Sequence, residues 1–222
     1  MQIIDAHHTA QALPMGALID ALRQRFAQGC SVPARGVHQW AAGTDAQVTS
    51  LVMPAWAEGE AYGVKVINMA SGNAARDLPG LHAAYLLFDA TTGVPRAVID
   101  GDQLTLRRTA AASALAASFL ARPEAEELLV VGAGRIAALL PLAYREVRPL
   151  RRVKVWARKP EQAQALVSQL RLQVQLQTDH GGASFSGQEL DVDVVTDLAA
   201  AVHQADIISC ATLAHEPVVQ GA

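Results

Sequence analysis

The run Val130-Val131-Gly132-Ala133-Gly134-Arg135-Ile136-Ala137 constrains the fold more than any other part of the chain. It has the form Gly-x-Gly-x-x-Ala and ends the mostly apolar stretch Glu127-Leu128-Leu129-Val130-Val131. In such a loop the first Gly permits a tight turn and the second lets a pyrophosphate approach the backbone. The third small residue lets a helix pack close to the strand. A helix N-terminus placed there offers free N–H groups and partial positive charge to phosphate. Alone the motif is weak, and its context gives it meaning. Here a helix is predicted over 136–147, kinked at Pro141, and a second strand over Arg152–Trp156 follows at βαβ distance. Without a ligand, the same residues read as a tight strand-to-helix turn.

The alternation continues. Pro160 suits the first turn of a helix over 160–170. Residues 172–177 read as a third strand, 195–203 as a short helix and 205–210 as a further strand. Alternating strands and helices imply a parallel sheet with helices on both faces, hence an α/β, Rossmann-like domain over 123–222. The second strand runs into Ala157-Arg158-Lys159, where NAD-binding domains usually place an acid for the ribose 2′-hydroxyl. Arg158 can instead pair with a 2′-phosphate through its planar fork. NADP(H) is therefore expected over NAD(H). The bland alternative is a solvated basic turn before Pro160.

The front half has a different period. Residues 11–28 carry Leu13, Met15, Leu18, Ile19, Leu22 and Phe26 at helical spacing, with Gly29 as a stop. Short β-prone runs follow at 48–53, 62–68, 83–89 and 96–99, punctuated by Pro54, Gly59, Gly72-Asn73, Pro79-Gly80 and Gly93. They predict a mostly antiparallel sheet with hairpin connections. The alanine-rich segment 104–120 predicts a helix by propensity, ended by Arg122-Pro123. A β-rich α+β domain over 1–122 results.

Composition narrows the class. With 222 residues, 51% hydrophobic and 18% charged, the chain has apolar surface enough to order itself. A net charge of -3 gives no general attraction to nucleic acid or anionic membrane. No apolar run reaches membrane-span length, and the first residues lack a signal-peptide pattern, so a cytoplasmic protein is expected. Cys30 and Cys210 read as reduced thiols, with Cys210 a buried small hydrophobe. The seven histidines show no metal-ligand spacing, so no metal is expected. Residues 181–187 read as a loop without a phosphate-loop Lys. Trp40 and Trp56 suit either a substrate cleft or apolar packing.

Several local sequences together resemble the ornithine cyclodeaminase/mu-crystallin family. They are Val32-Pro33-Ala34-Arg35, Met53-Pro54-Ala55-Trp56, Gly63-Val64-Lys65-Val66, and Leu106-Arg107-Arg108-Thr109-Ala110-Ala111-Ala112-Ser113-Ala114-Leu115-Ala116. Leu87-Phe88-Asp89 with Thr92-Gly93, and Cys210-Ala211-Thr212 with Glu216-Pro217, follow in the same order. The resemblance implies a substrate site between the two domains, with Arg35, Lys65 and Arg108 around an amino-acid carboxylate and Lys65 as the catalytic residue. A guanidinium and an ammonium can neutralise and orient a carboxylate. Lys65 sits in an apolar strand, where an unpaired ammonium is costly. Alternatively Lys65 guards an edge strand, Arg35 is an exposed loop charge, and Arg107 takes the part of Arg108. Implied cofactor contacts are Arg108, Gly132, Ala133, Gly134, Arg135, Ile136, Ala157, Arg158, Lys159 and Thr212. Thr212 also reads as a strand-end hydroxyl bonded locally to backbone.

The implied chemistry is NAD(P)-dependent hydride transfer at the α-carbon of a small amino or imino acid. Ketimine or imino-acid reduction is favoured, with ornithine cyclodeamination and cofactor binding without turnover as rivals. A homodimer through the front domain is implied as well. Departures sharpen this reading. Leu51 stands where ornithine cyclodeaminases carry a Glu facing the distal amine. Ile136 replaces a Gln of the glycine loop, and His82, Ala83 and Ala84 stand where a Thr is expected. The family's following Asn-Ala-Val-Gly strand and its Asp lie beyond Gly221, so the Rossmann-like domain is expected to be C-terminally truncated, with about four strands and an uncovered edge.

Overall fold

The computed structural model describes residues 1–43, 46–179 and 190–221, and of 176–179 the backbone alone. Among these residues the chain divides into two compact units. One comprises Met1–Pro14 and Asp20–Thr105, the other Met15–Ile19 and the chain from Leu106 onward.

In the first unit β1 (Gln2–Ile4) leads into α1 (Ala6–Ala12), where Asp5 caps the helix by accepting from the His8 N–H at 2.9 Å. The single helix expected over 11–28 is broken. Pro14 cannot donate and pushes Leu13 out of helical geometry, to φ -120 and ψ 62. A separate α2 (Met15–Gln28) then ends at Gly29 with φ 78, the stop the sequence signals.

The strands β2 (Gly36–Ala41), β3 (Gln47–Ala57), β4 (Ala61–Ala70), β5 (Leu81–Asp89) and β6 (Pro95–Asp100) form an antiparallel meander. With β1 added parallel to β6, the sheet order is β1-β6-β5-β4-β3-β2. Strands β1 and β2 carry no clear apolar–polar alternation, so their sequences do not mark them as strands. Pro54 is not a turn but lies within β3, opposite Val64. Trp56, two residues on, exchanges backbone hydrogen bonds with Ser31 on the side away from β4. The Pro54 nitrogen faces that same side, past the end of β2 at Gly36, so no ladder bond is lost. Gly72 and Asn73 lie in a short 3-10 helix over Ser71–Arg76, and the Asn73 amide donates to the Pro79 carbonyl at 2.7 Å.

The alanine-rich helix α3 (Gly101–Leu120) starts three residues earlier than its propensity suggests, because Asp100 accepts from the Gln103 N–H at 2.7 Å. Gly101 is required there: a Cβ would stand 2.5 Å from the Ala83 carbonyl carbon.

In the second unit β7 (Glu127–Val131), β8 (Arg152–Trp156), β9 (Asp191–Val194) and β10 (Ile207–Cys210) form a parallel sheet in the order β10-β7-β8-β9. All five residues of β7 are buried, as a central parallel strand requires. Leu129 and Val131 pack with Ala201, Trp156, Val195, Leu198 and Val202. Two expectations are corrected. The helix after the glycine loop is not continuous over 136–147. Residues 135–139 form turns, and the regular helix α4 (Leu140–Arg145) starts around Pro141. Pro141 lacks the N–H a helix interior needs, but fits a first turn. Residues 172–177 are not a strand either. Helix α5 (Pro160–Asp179) runs through them, and the third strand is β9. Helix α6 (Leu198–Gln204) follows its cap, Asp197. The loop read at 181–187 lies outside the described residues. Cys210 is exposed rather than buried, as is Cys30.

Candidate active site

The sheet register places the proposed carboxylate ligands. Met53, Lys65, Tyr85 and Ile99 are successive cross-strand partners on β3, β4, β5 and β6. Gly36 pairs with Val52, so Arg35 stands at the level of Met53, one residue beyond the last β2 pair. Arg35 is exposed, and its backbone lies two strand spacings from Lys65, roughly 10 Å. Lys65 is half-buried on a central strand. The edge-guard reading of this lysine therefore falls, since both flanks of β4 are paired. On its face stand Leu51, Met53, Gly63, Ile67 and Leu87, all apolar.

Gly63 has a specific neighbour. A Cβ there would lie 1.8 Å from the Tyr85 hydroxyl oxygen, so the phenol occupies the space over this glycine. Tyr85 is half-buried, and burial raises its pKa above the ordinary value of 10.0. Nothing local in the sequence singles out Tyr85, because cross-strand partners carry no local signal.

In the second unit the nucleotide candidates gather at the C-terminal ends of three adjacent parallel strands. Gly132 follows β7 with φ 123, and its N–H donates to the Trp156 carbonyl at 2.7 Å. The Ala211 N–H donates to the Val131 carbonyl at 2.8 Å. A Cβ on Gly132 would meet the Ala211 oxygen at 2.4 Å and Thr212 Cγ2 at 3.3 Å. Gly132 thus serves the crossing of two backbones. Gly134 has no atom within 4 Å of an added Cβ. That open space above an exposed backbone is what a pyrophosphate needs, so these residues fit a dinucleotide. Ala133 and Ile136 are half-buried, and Arg135 is exposed.

Ala157, Arg158 and Lys159 leave β8 directly beside Gly132, with both cations exposed. Thr212 is exposed, and its hydroxyl accepts from the Ala214 N–H at 3.3 Å, the local bond its bland reading describes. Arg108 is exposed on α3, with the half-buried Arg107 preceding it. Desolvation lowers both guanidinium pKa values, and both stay protonated near neutral pH.

Other features fall outside this constellation. A cavity of about 470 Å³ is lined by Arg25, Cys30, Ser31, Trp56 and Glu60, among others. Trp40 and Trp56 are both exposed. Among the described residues no group of three or more His, Cys, Asp or Glu could hold a metal, and no helix is long and apolar enough to cross a membrane.

A model of the ornithine cyclodeaminase/mu-crystallin family matches residues 3–222. Over 175 residues the chain is 46% identical to a Delta(1)-pyrroline-2-carboxylate reductase of Paracoccus denitrificans, covering 78% of this chain and 51% of that one. It is 33% identical to the ketimine reductase mu-crystallin of Rattus norvegicus, covering 77% of this chain and 49% of that one. Among solved structures, the Thermococcus litoralis Delta(1)-pyrroline-2-carboxylate reductase in complex with NADH and L-proline matches with a TM-score of 0.81 and 27% identity. That match covers 99% of this chain and 64% of the other. The chain thus spans about half to two thirds of the length of these relatives.

Proposed function

The chain belongs to the ornithine cyclodeaminase/mu-crystallin family, and from that premise we propose that it reduces a small cyclic imino acid of the Δ1-pyrroline-2-carboxylate type, using NAD(P)H. The observation that carries this reading is the row of Arg35, Met53 and Lys65 on a sheet face whose other members near Lys65 are Leu51, Gly63, Ile67, Leu87 and the Tyr85 phenol. A carboxylate bound to the half-buried Lys65 forms a charge-assisted hydrogen bond, which is stronger than a neutral one. Arg35, at the same level of the sheet, supplies a second cation with a planar fork. The family resemblance adds Arg108 as a third carboxylate ligand. Leu51, Met53 and Ile67 give the rest of the substrate an apolar floor. Leu51 cannot pair with an ammonium, which disfavours ornithine and with it cyclodeamination.

Residues 1–122 form the substrate-binding and dimerisation part of this reading, and residues 123–222 the nucleotide-binding part. Gly132, Ala133, Gly134, Arg135 and Ile136 would hold the pyrophosphate, with Thr212 beside them and Arg108 also near the cofactor. Ala157 leaves room for a 2′-phosphate, and Arg158 and Lys159 favour NADP(H) over NAD(H). A dinucleotide held by these residues would supply hydride chemistry at the imine carbon, with the proton for the amine coming from water. Lys65 is the catalytic residue in the sense that it holds the substrate carboxylate and keeps the α-carbon in place. The protein is read as a cytoplasmic homodimer paired through the front domain.

The test is direct. NADPH or NADH is mixed with Δ1-pyrroline-2-carboxylate, and separately NAD+ with ornithine. Cofactor oxidation with the imine is the expected result. Proline and ammonia from ornithine without net NADH would replace reduction by cyclodeamination. Cofactor binding with neither reaction would leave a binding protein.

A further inference from the structure

Lys65 has one neighbour on its face that is neither small nor aliphatic. Tyr85 is its direct partner on β5, so the two Cβ atoms stand roughly 5 Å apart. The phenol extends over Gly63, two residues along β4, where it takes the space a side chain would otherwise fill. On the opposite flank of Lys65 stands Met53, with Leu51 and Ile67 next along the sheet. A ligand whose carboxylate meets Lys65 can therefore spread toward the flexible Met53 side. Toward Gly63 it meets an aromatic wall held between β4 and β5.

We propose that Tyr85 is a specificity-determining residue whose phenol ring sets the upper size of the cyclic imino acid that Lys65 can hold. The inference rests on the reading above and adds a limit on ring size to it. Rigid aromatic bulk, rather than the hydroxyl, is the operative property. Burial keeps that hydroxyl protonated across the neutral range, so it carries no charge of its own to the substrate. A single methylene in a well-packed pocket changes selectivity by roughly 10- to 200-fold, which sets the scale of the effect.

The experiment compares the five-membered imine with its six-membered ring homologue, in wild type and in Tyr85→Val, Tyr85→Leu, Tyr85→Phe and Tyr85→Trp. The kcat/KM ratio is measured with NAD(P)H, and calorimetric binding of the two corresponding cyclic amino acids with NAD(P)+ provides a readout independent of turnover. Tyr85→Val and Tyr85→Leu are expected to shift the ratio at least 10-fold toward the larger ring. Tyr85→Phe should stay within about two-fold of wild type, and Tyr85→Trp should shift the ratio the other way. A ratio unchanged in the Val, Leu and Trp variants, while wild type reduces the five-membered imine, overturns the size-limit role alone. A wild type that neither reduces nor binds either ring overturns the reductase reading, and the inference with it.

Discussion

The carbonyl oxygen of Ala211 lies 2.4 Å from where a Cβ on Gly132 would stand, so the loop after β7 and the chain leaving β10 are fitted to a glycine. The two glycines of this loop should consequently behave differently. Gly132 also has φ 123, a conformation L side chains rarely adopt. Gly132→Ala should cost at least ~2 kcal/mol of stability in urea unfolding. Gly134→Ala meets no atom within 4 Å, so it should fold like wild type while weakening dinucleotide binding in a fluorescence titration. Equal stability losses in the two variants would contradict this division.

Arg158 should govern the choice of dinucleotide. Replacing it by Asp puts an acid at the end of β8, where it can accept from a ribose 2′-hydroxyl and repel a 2′-phosphate. Arg158→Asp should weaken NADPH binding about 10-fold or more, the scale of a lost charge-assisted bond. NADH binding should stay equal or improve. Titrating both cofactors checks this, and parallel losses would count against it.

Arg148 should stabilise the second unit through the end of α3. Its guanidinium Nη2 donates to the carbonyls of Ala117, Ser118 and Ala121, at 2.9, 3.0 and 2.7 Å. The Ala117 carbonyl also accepts from the Ala121 N–H at 3.0 Å, and a cation at this end of α3 complements the helix dipole. Arg148→Met should lower stability by about 2–3 kcal/mol. Thermal unfolding with and without bound dinucleotide provides the measurement.

Asp206 should make stability depend on acid. It accepts from the Glu126 and Glu127 N–H groups at 2.9 and 3.0 Å and pairs with Arg122. The Glu126 N–H bond comes first among the causes that hold its carboxyl below the ordinary 3.8. A depressed folded pKa adds stability that is present above the unfolded pKa and is lost as pH falls through the folded value. Wild type should therefore exceed Asp206→Asn in Tm at pH 7, with the gap closing below about pH 4. A gap that stays constant from pH 7 to pH 3 would refute this role.

Much of the fold was legible because its signals are local. The glycine loop follows a strand that is apolar from Leu128 to Val131, and such a run admits few readings besides a buried parallel strand. Helix α3 announced itself through alanine. The misreadings came where two periods coincide. Leu172 and Val174 alternate with polar residues as a strand would, yet they continue a helix begun at Pro160. The true third strand, Asp191-Val192-Asp193-Val194, hides behind its acids. Pro54 was misplaced because its tolerance depends on where β2 stops, a tertiary fact. The same limit concealed Tyr85. Lys65 could be singled out by its own chemistry, whereas its partner on β5 depends on a register that no single segment encodes.

That register has a consequence for how the protein matures. A one-residue slip between neighbouring strands turns every side chain of a strand to the opposite surface. Slipping β4 against β3 and β5 would move Lys65 out of line with Met53 and Tyr85 and break the level it shares with Arg35. A ligand that engages this row binds the correctly paired sheet and not its slipped forms, and so favours it by mass action. In a cell, the imino acid of the proposed reaction would thereby favour the correctly paired sheet.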